Sequence, residues 1–184
     1  YGATPPAGWL PAAAGLCRND YRRFVVFHSL SKRSNEPGLR SGFVAGYADI
    51  MQNFLRYRTY HGCAMPPATQ AASIRAWQDE AHVDANRALY TEKFAAVLDI
   101  LAPLLDVQLP DAGFYLWVRT PLDDTDFARG LLAQQNVIVL PGSFLSRPVD
   151  GHNPGRDYVR MALVAPLEDC LEAAERIKSY IVSR

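Results

Sequence analysis

Short apolar runs alternate along the chain with longer stretches of helical spacing. Runs rich in β-branched and aromatic residues predict strands, and apolar residues three and four apart predict helices. The predicted strands are Phe24–His28, Gly42–Gly46, Val107–Leu109, Phe114–Val118, Val137–Leu140 and Tyr158–Val164. The predicted helices are a short one near Leu10–Leu16, one from Tyr47, one from Pro66–Pro67 to about Leu105, one capped at Asp123–Thr125 that runs through Ala133, and one from Leu167 onward.

The helical pattern that starts at Pro66–Pro67 is longer than about 25 residues, which is long for a globular protein. We therefore expect a bend or an interdomain span within it. The order of elements predicts an α/β fold, in which the tail of one α/β layer is joined by this helix to a smaller α+β module. We place the divisions at residues 1–64, 65–100 and 101–184.

Composition excludes several classes of protein. The 184 residues carry 19 basic and 19 acidic side chains, and this balance argues against a dedicated nucleic-acid binder. No run approaches the ~18 apolar residues of a membrane-spanning helix, so we expect no membrane partner. The three cysteines, Cys17, Cys63 and Cys170, form no CxxC pair, which is typical of a reducing cytoplasm rather than of a disulfide framework or a metal site. No signal peptide is recognisable at Tyr1.

Lysine is scarce, because sixteen of the basic residues are arginine. Lys93 and Lys178 lie on predicted helices, at positions typical of solvated side chains. Lys32 instead follows the predicted buried strand Phe24–His28, and strand ends supply binding residues in α/β folds. A lysine amine at such a place suits Schiff-base chemistry. The alternative is a surface turn with ordinary cations.

Hydroxyl and guanidinium groups surround this lysine. Ser29, Ser31 and Arg40 lie within eight residues of it, on a segment with a Pro37–Gly38 turn. Hydroxyls and an arginine on such a turn suit a phosphate group. A lysine nucleophile beside a phosphate cradle describes a site for pyridoxal phosphate.

The same residues carry a family resemblance. Ser29-Leu-Ser-Lys-Arg-Ser-Asn35, followed by Pro37-Gly-Leu-Arg-Ser-Gly-Phe-Val-Ala-Gly46, resembles the lysine motif of class I aminotransferases, which are fold-type-I pyridoxal-phosphate enzymes. The sequence of this motif is most similar to that of bacterial N-succinyldiaminopimelate aminotransferases. Further matches are Tyr57-Arg-Thr-Tyr-His-Gly62, Gly113-Phe-Tyr-Leu-Trp117, Val139-Leu-Pro-Gly-Ser143, Asn153-Pro-Gly155 and Val159-Arg-Met-Ala-Leu-Val164.

The resemblance implies a role for each matched residue. Lys32 is the lysine that carries pyridoxal 5'-phosphate and moves a proton between substrate and cofactor. Ser29 and Arg40 hold the cofactor phosphate, and Ser31 is a weaker candidate for the same task. Arg160 binds the substrate α-carboxylate, for which its planar fork is suited. The alternative for Arg160 is a surface charge on an edge strand.

The resemblance also implies that part of the site is missing. In the family, the acidic partner of the pyridinium nitrogen and the Gly-rich phosphate turn come earlier than the point where this chain starts. We therefore expect the C-terminal half of such an enzyme: the end of the large α/β domain, a long interdomain helix and a small α+β domain. We expect these 184 residues alone to bind the cofactor poorly.

The implied reaction is transamination between glutamate and an N-succinylated keto acid of lysine and diaminopimelate biosynthesis, with amino acids and 2-oxoacids as ligands, in a homodimer. Two alternatives stay open. One is another class I aminotransferase, of the aspartate, aromatic or succinylornithine type. The other is a remnant without catalysis that serves as a dimerisation or binding module.

Overall fold

The computed structural model describes residues 8, 11, 12, 14, 21, 22 and 24–184. The helix predicted near Leu10–Leu16 lies largely outside the described residues, as does Cys17. The chain divides into two compact units, an N-terminal unit of residues Thr4–Arg87 and a C-terminal unit of residues Ala88–Arg184. Within the described part, no helix has both the length and the apolar character needed to cross a membrane.

The N-terminal unit is built on two antiparallel strands with helices after them. Strand β1 (Val25–Ser29) leads into a single helical turn, α1 (Leu30–Arg33), and strand β2 (Gly42–Gly46) follows a 3-10 turn. Helices α2 (Ala48–His61) and α3 (Pro67–Gln78) come next. Ser29 pairs with Gly42 at the end of the ladder. A Cβ on Gly42 would lie 2.6 Å from the His28 carbonyl oxygen, so the close approach of the chain requires glycine there.

Both strands were predicted from sequence, but β1 is not buried. Phe27 is 71% exposed, and His28, which the apolar run predicts to be a core residue, is exposed as well. The run of β-branched and aromatic residues favours an extended backbone. Whether the strand is buried depends on other elements that pack over it, which the run does not determine.

The long predicted helix is two helices. Helix α3 ends at Gln78, and α4 (Ala81–Leu101) begins after Asp79 and Glu80. The Ala81 backbone N–H donates to Asp79 Oδ1 over 3.0 Å, which caps α4. This bond, together with the His82 side chain, lowers the pKa of the Asp79 carboxyl. The expected bend is therefore a complete break with its own cap.

The C-terminal unit contains a three-stranded antiparallel sheet of order β3–β5–β4. The strands are β3 (Tyr115–Arg119), β4 (Leu140–Pro141) and β5 (Tyr158–Ala162), and the helices are α5 (Asp124–Gln135) and α6 (Leu167–Val182). Two strand predictions are wrong. Residues 107–109 form no strand, and only the last residue of the predicted Val137–Leu140 strand pairs, together with Pro141, with β5.

The helices pack against one face of this sheet. Helix α4 contributes Tyr90, Phe94, Val97 and Leu101 to the core, at the spacing of one helical face. Alternate strand residues, such as Leu116 and Val159, meet them. The residues between them point to the opposite face, which carries Tyr115, Trp117, Tyr158 and Arg160.

Candidate active site

The turn that carries Lys32 is anchored from one side. Leu30 is fully buried, and its backbone N–H donates to the Ser41 carbonyl oxygen over 3.2 Å. The Ser34 N–H closes the turn on the Leu30 carbonyl at 3.0 Å. Successive helical residues are rotated by about 100°, so Lys32 projects nearly opposite Leu30.

Lys32 lines an open pocket of about 770 Å³ in the N-terminal unit. The pocket combines an amine, a hydroxyl and a guanidinium group with aromatic rings. Its lining residues are Phe27, His28, Ser29, Lys32, Gly42, Phe43, Val44, Phe54 and Arg58. The size is typical of small-molecule sites, and the side chains offer a nucleophile, anion-binding groups and ring surfaces together.

Two of the predicted cofactor residues line this pocket, and two do not. Ser29 and Lys32 are present, and the Ser29 side chain caps no backbone N–H of the following turn. Ser31 is half-buried outside the lining. Arg40 is exposed at a left-handed φ of 51°, and its guanidinium donates to the Pro37 carbonyl oxygen over 3.0 Å. The phosphate roles of Ser31 and Arg40 stay predictions.

Sequence reasoning missed Arg58. This residue lies on α2, 26 positions after Lys32, and it brings a second cation into the pocket. Its Nη2 donates to the Cys63 carbonyl oxygen over 3.3 Å. No spacing rule links a helix residue to a strand end so far away. The available signal was its place inside the quoted Tyr57–Gly62 match.

Arg160 belongs to the C-terminal unit and lies on an aromatic surface. It pairs in register with Trp117, and its guanidinium lies 5.4 Å from the centre of the Tyr115 ring. Trp117 stacks on Tyr158 with ring centres 5.8 Å apart. The Arg160 Nε is buried and has no hydrogen-bond partner among the described residues. A buried guanidinium nitrogen without a partner is suited to an external carboxylate.

Comparison with known proteins gives the family of this chain. Residues 9–177 match class I and II aminotransferases, so the chain belongs to that family. The family depends on pyridoxal phosphate. The chemistry of the Lys32 pocket fits this cofactor, because an amine meets its aldehyde, a hydroxyl and a guanidinium suit its phosphate, and rings suit its pyridine.

Three similar proteins show the degree of likeness. The structure of an aminotransferase of Neisseria meningitidis shares 53% identity with a TM-score of 0.93, over 98% of this chain and 46% of that one. A probable N-succinyldiaminopimelate aminotransferase of Thermus thermophilus shares 30% identity with a TM-score of 0.77, over 88% of this chain and 43% of that one. The LL-diaminopimelate aminotransferase of Syntrophobacter fumaroxidans is 34% identical over 84% of this chain and 39% of its own length. The chain thus spans less than half the length of each of these proteins.

Proposed function

We propose that this chain is the C-terminal portion of a pyridoxal-phosphate-dependent aminotransferase in which Lys32 carries the cofactor. The observation that carries the proposal is the pocket that joins Lys32, Ser29 and Arg58 with aromatic rings. Neither of the other two lysines lines this pocket: the Lys93 Nζ donates to the Leu163 carbonyl oxygen over 3.3 Å in the C-terminal unit and lies over the Tyr90 ring. Lys178 pairs with Glu175 on α6.

Each residue has a defined task in this proposal. The bound cofactor supplies an electron sink that makes the α-proton of the substrate acidic. The Lys32 Nζ takes up that proton and returns it, which requires the amine to stay beside the substrate carbon. Ser29, Arg40 and, more weakly, Ser31 are the proposed phosphate-binding residues, and the Arg58 guanidinium, which lines the pocket where Arg40 does not, adds a further cation to them. Arg160 binds the α-carboxylate through its fork, with Tyr115 supporting the guanidinium plane.

We propose as substrates glutamate and N-succinyl-2-amino-6-oxopimelate, in a cytoplasmic homodimer of lysine and diaminopimelate biosynthesis. The sequence of the motif around Lys32 and the likeness to the Thermus thermophilus protein support this choice of substrates. A second candidate is unmodified LL-diaminopimelate, which the relative of Syntrophobacter fumaroxidans favours. In the reverse direction, in which 2-oxoglutarate accepts the amino group, the two candidate donors are N-succinyl-LL-diaminopimelate and LL-diaminopimelate, which differ by one succinyl group.

A donor panel tests both the activity and the substrate. The protein is expressed from its complete natural reading frame, and the amino group is transferred to 2-oxoglutarate from N-succinyl-LL-diaminopimelate, LL-diaminopimelate, aspartate, phenylalanine or N-succinylornithine. We expect the succinylated diaminopimelate to give the highest kcat/KM, and we expect Lys32→Ala to abolish turnover while Lys178→Ala retains it. The 184-residue chain assayed alone should show negligible transfer.

The outcomes separate the alternatives. If another donor gives the highest kcat/KM, the proposed aminotransferase activity stands and the proposed substrate is wrong. Absence of transfer from every donor, with folded complete protein, contradicts the activity and favours a non-catalytic binding module.

A further inference from the structure

The Lys32 turn is too short to hold its own orientation. Helix α1 has four residues, and an isolated helical turn is unfavourable because few hydrogen bonds compensate the ordered backbone. Its direction must therefore come from tertiary contacts. Leu30 provides one of them from the core, and the residue after the lysine provides others.

Arg33 is bound to helix α3 and to the residues that follow it. Its Nη1 donates to the Ala76 carbonyl oxygen over 3.2 Å, and its Nη2 forms a hydrogen-bonded ion pair with Glu80. The guanidinium also lies 5.0 Å from the centre of the Trp77 ring. These three contacts leave the planar guanidinium little rotational freedom. Its side chain is only 12% exposed, although that of Glu80 is 65% exposed.

Trp77 extends this contact to both strands beside Lys32. Its ring centre is 5.3 Å from that of His28 on β1 and 5.2 Å from that of Phe43 on β2. Both of these residues line the Lys32 pocket. The same tryptophan therefore contacts the Arg33 guanidinium and one wall of the pocket.

Helix α3 also holds the segment that returns to β2. The Ser73 and Ser41 hydroxyls form a buried hydrogen bond of 2.8 Å, and Ser41 accepts the Leu30 N–H through its carbonyl oxygen. Ser73, Trp77 and Glu80 recur at the spacing of one helical face, although Glu80 lies just beyond the end of the helix. One face of α3 thus contacts the chain on both sides of the lysine turn, through His28 before it and Ser41 after it.

We propose that Arg33, fixed by Glu80 and Trp77, is a positioning residue that sets the direction of the Lys32 amine. Arg33 follows Leu30 by three positions and lies on the same side of the turn, and Lys32 lies on the other. Rotation of the turn would displace the amine, and a displacement of about 1 Å at a reacting group costs up to about 100-fold in rate. The proposal rests on the function proposed above for Lys32.

The test compares two exposed carboxylates one helical turn apart. Glu80→Ala removes the anchor of Arg33. Asp84→Ala is the matched control, because the Asp84 side chain is 72% exposed and pairs with Arg87. Arg33→Met is the second test variant, and Arg33→Lys keeps the charge without the fork. Each is made in the protein expressed from its complete reading frame.

Two rates are measured besides the unfolding temperature. The first is the rate constant with which added pyridoxal phosphate reacts at Lys32, followed by stopped-flow absorbance. The second is kcat, with KM determined separately. We expect Glu80→Ala to lower both rate constants about three-fold and Arg33→Met about ten-fold, with KM within about two-fold of the unaltered protein. The two rate constants of Arg33→Lys should lie between those of Arg33→Met and those of the unaltered protein. Those of Asp84→Ala should match the unaltered protein.

Each outcome decides one question. Rate constants of Glu80→Ala and Arg33→Met equal to those of Asp84→Ala overturn the positioning role. A loss that follows only the fraction of unfolded protein overturns it too, since the anchor would then serve stability alone. If the unaltered protein does not react with the cofactor at Lys32, the proposed function itself is wrong.

Discussion

Individual carboxylates in the C-terminal unit show how a single side chain fixes a loop. Asp124 is buried, and it accepts the Ser143 N–H over 2.9 Å and the Asp157 N–H over 3.4 Å. Its neighbour Asp123 caps α5 by accepting the N–H groups of Thr125 and Asp126. Asp124 thereby ties the start of α5 to the residues just before β5, the strand that carries Arg160.

Asp123 gives the stability of this unit a defined dependence on pH. The Thr125 hydroxyl donates to its carboxylate, and with the backbone donors of Thr125 and Asp126 this lowers the pKa of Asp123. A lowered folded-state pKa adds stability that is present above the unfolded-state pKa of about 3.9 and is lost as pH falls through the lowered value. Asp123→Asn keeps a capping oxygen but no charge.

We therefore expect the stability of the unaltered protein, relative to Asp123→Asn, to decline below about pH 4 and to be constant above about pH 5. Urea unfolding at a series of pH values measures this difference. Asp126→Asn is the control, because Asp126 pairs with Arg129 and accepts no backbone N–H in the described part of the chain. A constant difference between unaltered protein and Asp123→Asn from pH 2 to 6 would refute the assignment.

At the scale of single residues, the sequence identifies residues with a distinctive local context better than it identifies residues that come close together only in the folded chain. Lys32 stands out because it is one of only three lysines and lies shortly after a predicted strand, and Arg160 because a charge interrupts an apolar strand. Arg58 and Glu80 carry no such local mark. They reach the Lys32 region through the folding of α2 and of the α3–α4 break, which spacing along the chain does not encode.

Elements with a strong periodic pattern were predicted well, and elements that depend on a partner were not. In helix α6, Cys170, Ala174 and Ile177 are buried as the apolar spacing predicts. The apolar run Val137–Leu140 favours extended backbone as strongly as Phe114–Val118 does. Only its end reaches β5, however, and whether a neighbouring strand is available cannot be derived from the run itself.

The contact between α5 and α6 yields a prediction at this scale. Gly130 lies inside α5, where alanine would ordinarily stabilise the helix by about 1 kcal/mol. A Cβ at this position would overlap the Tyr180 Oη on α6. We therefore expect Gly130→Ala to destabilise the protein by about 1–3 kcal/mol instead.

Tyr180→Phe should relieve this overlap. The Tyr180 Oη is buried without a hydrogen-bond partner among the described residues, so its removal alone should leave the free energy of unfolding unchanged within about 1 kcal/mol. The double variant should recover at least about 1 kcal/mol of the loss. Additive effects of the two changes in urea unfolding would show that the helices do not meet at this point.

On the scale of the whole chain, the two units differ in how they are built. The C-terminal unit has a continuous core drawn from three helices and a sheet. In the N-terminal unit, helix α2 has no buried residue, and Phe27, Leu55 and Tyr60 are 71%, 70% and 81% exposed. The proposed cofactor lysine and the proposed carboxylate arginine thus belong to separate compact units of one family member.

The central claim is that Lys32 carries the cofactor, and covalent labelling tests it most directly. The protein from the complete reading frame is saturated with pyridoxal phosphate, reduced with sodium borohydride, digested and mapped by mass spectrometry. The chain offers three lysines, so the assignment is a choice among few sites. We predict the added mass on the peptide that contains Lys32, and its loss in Lys32→Ala. Labelling of Lys93 or Lys178 in place of Lys32, or no labelling at all, would contradict the account.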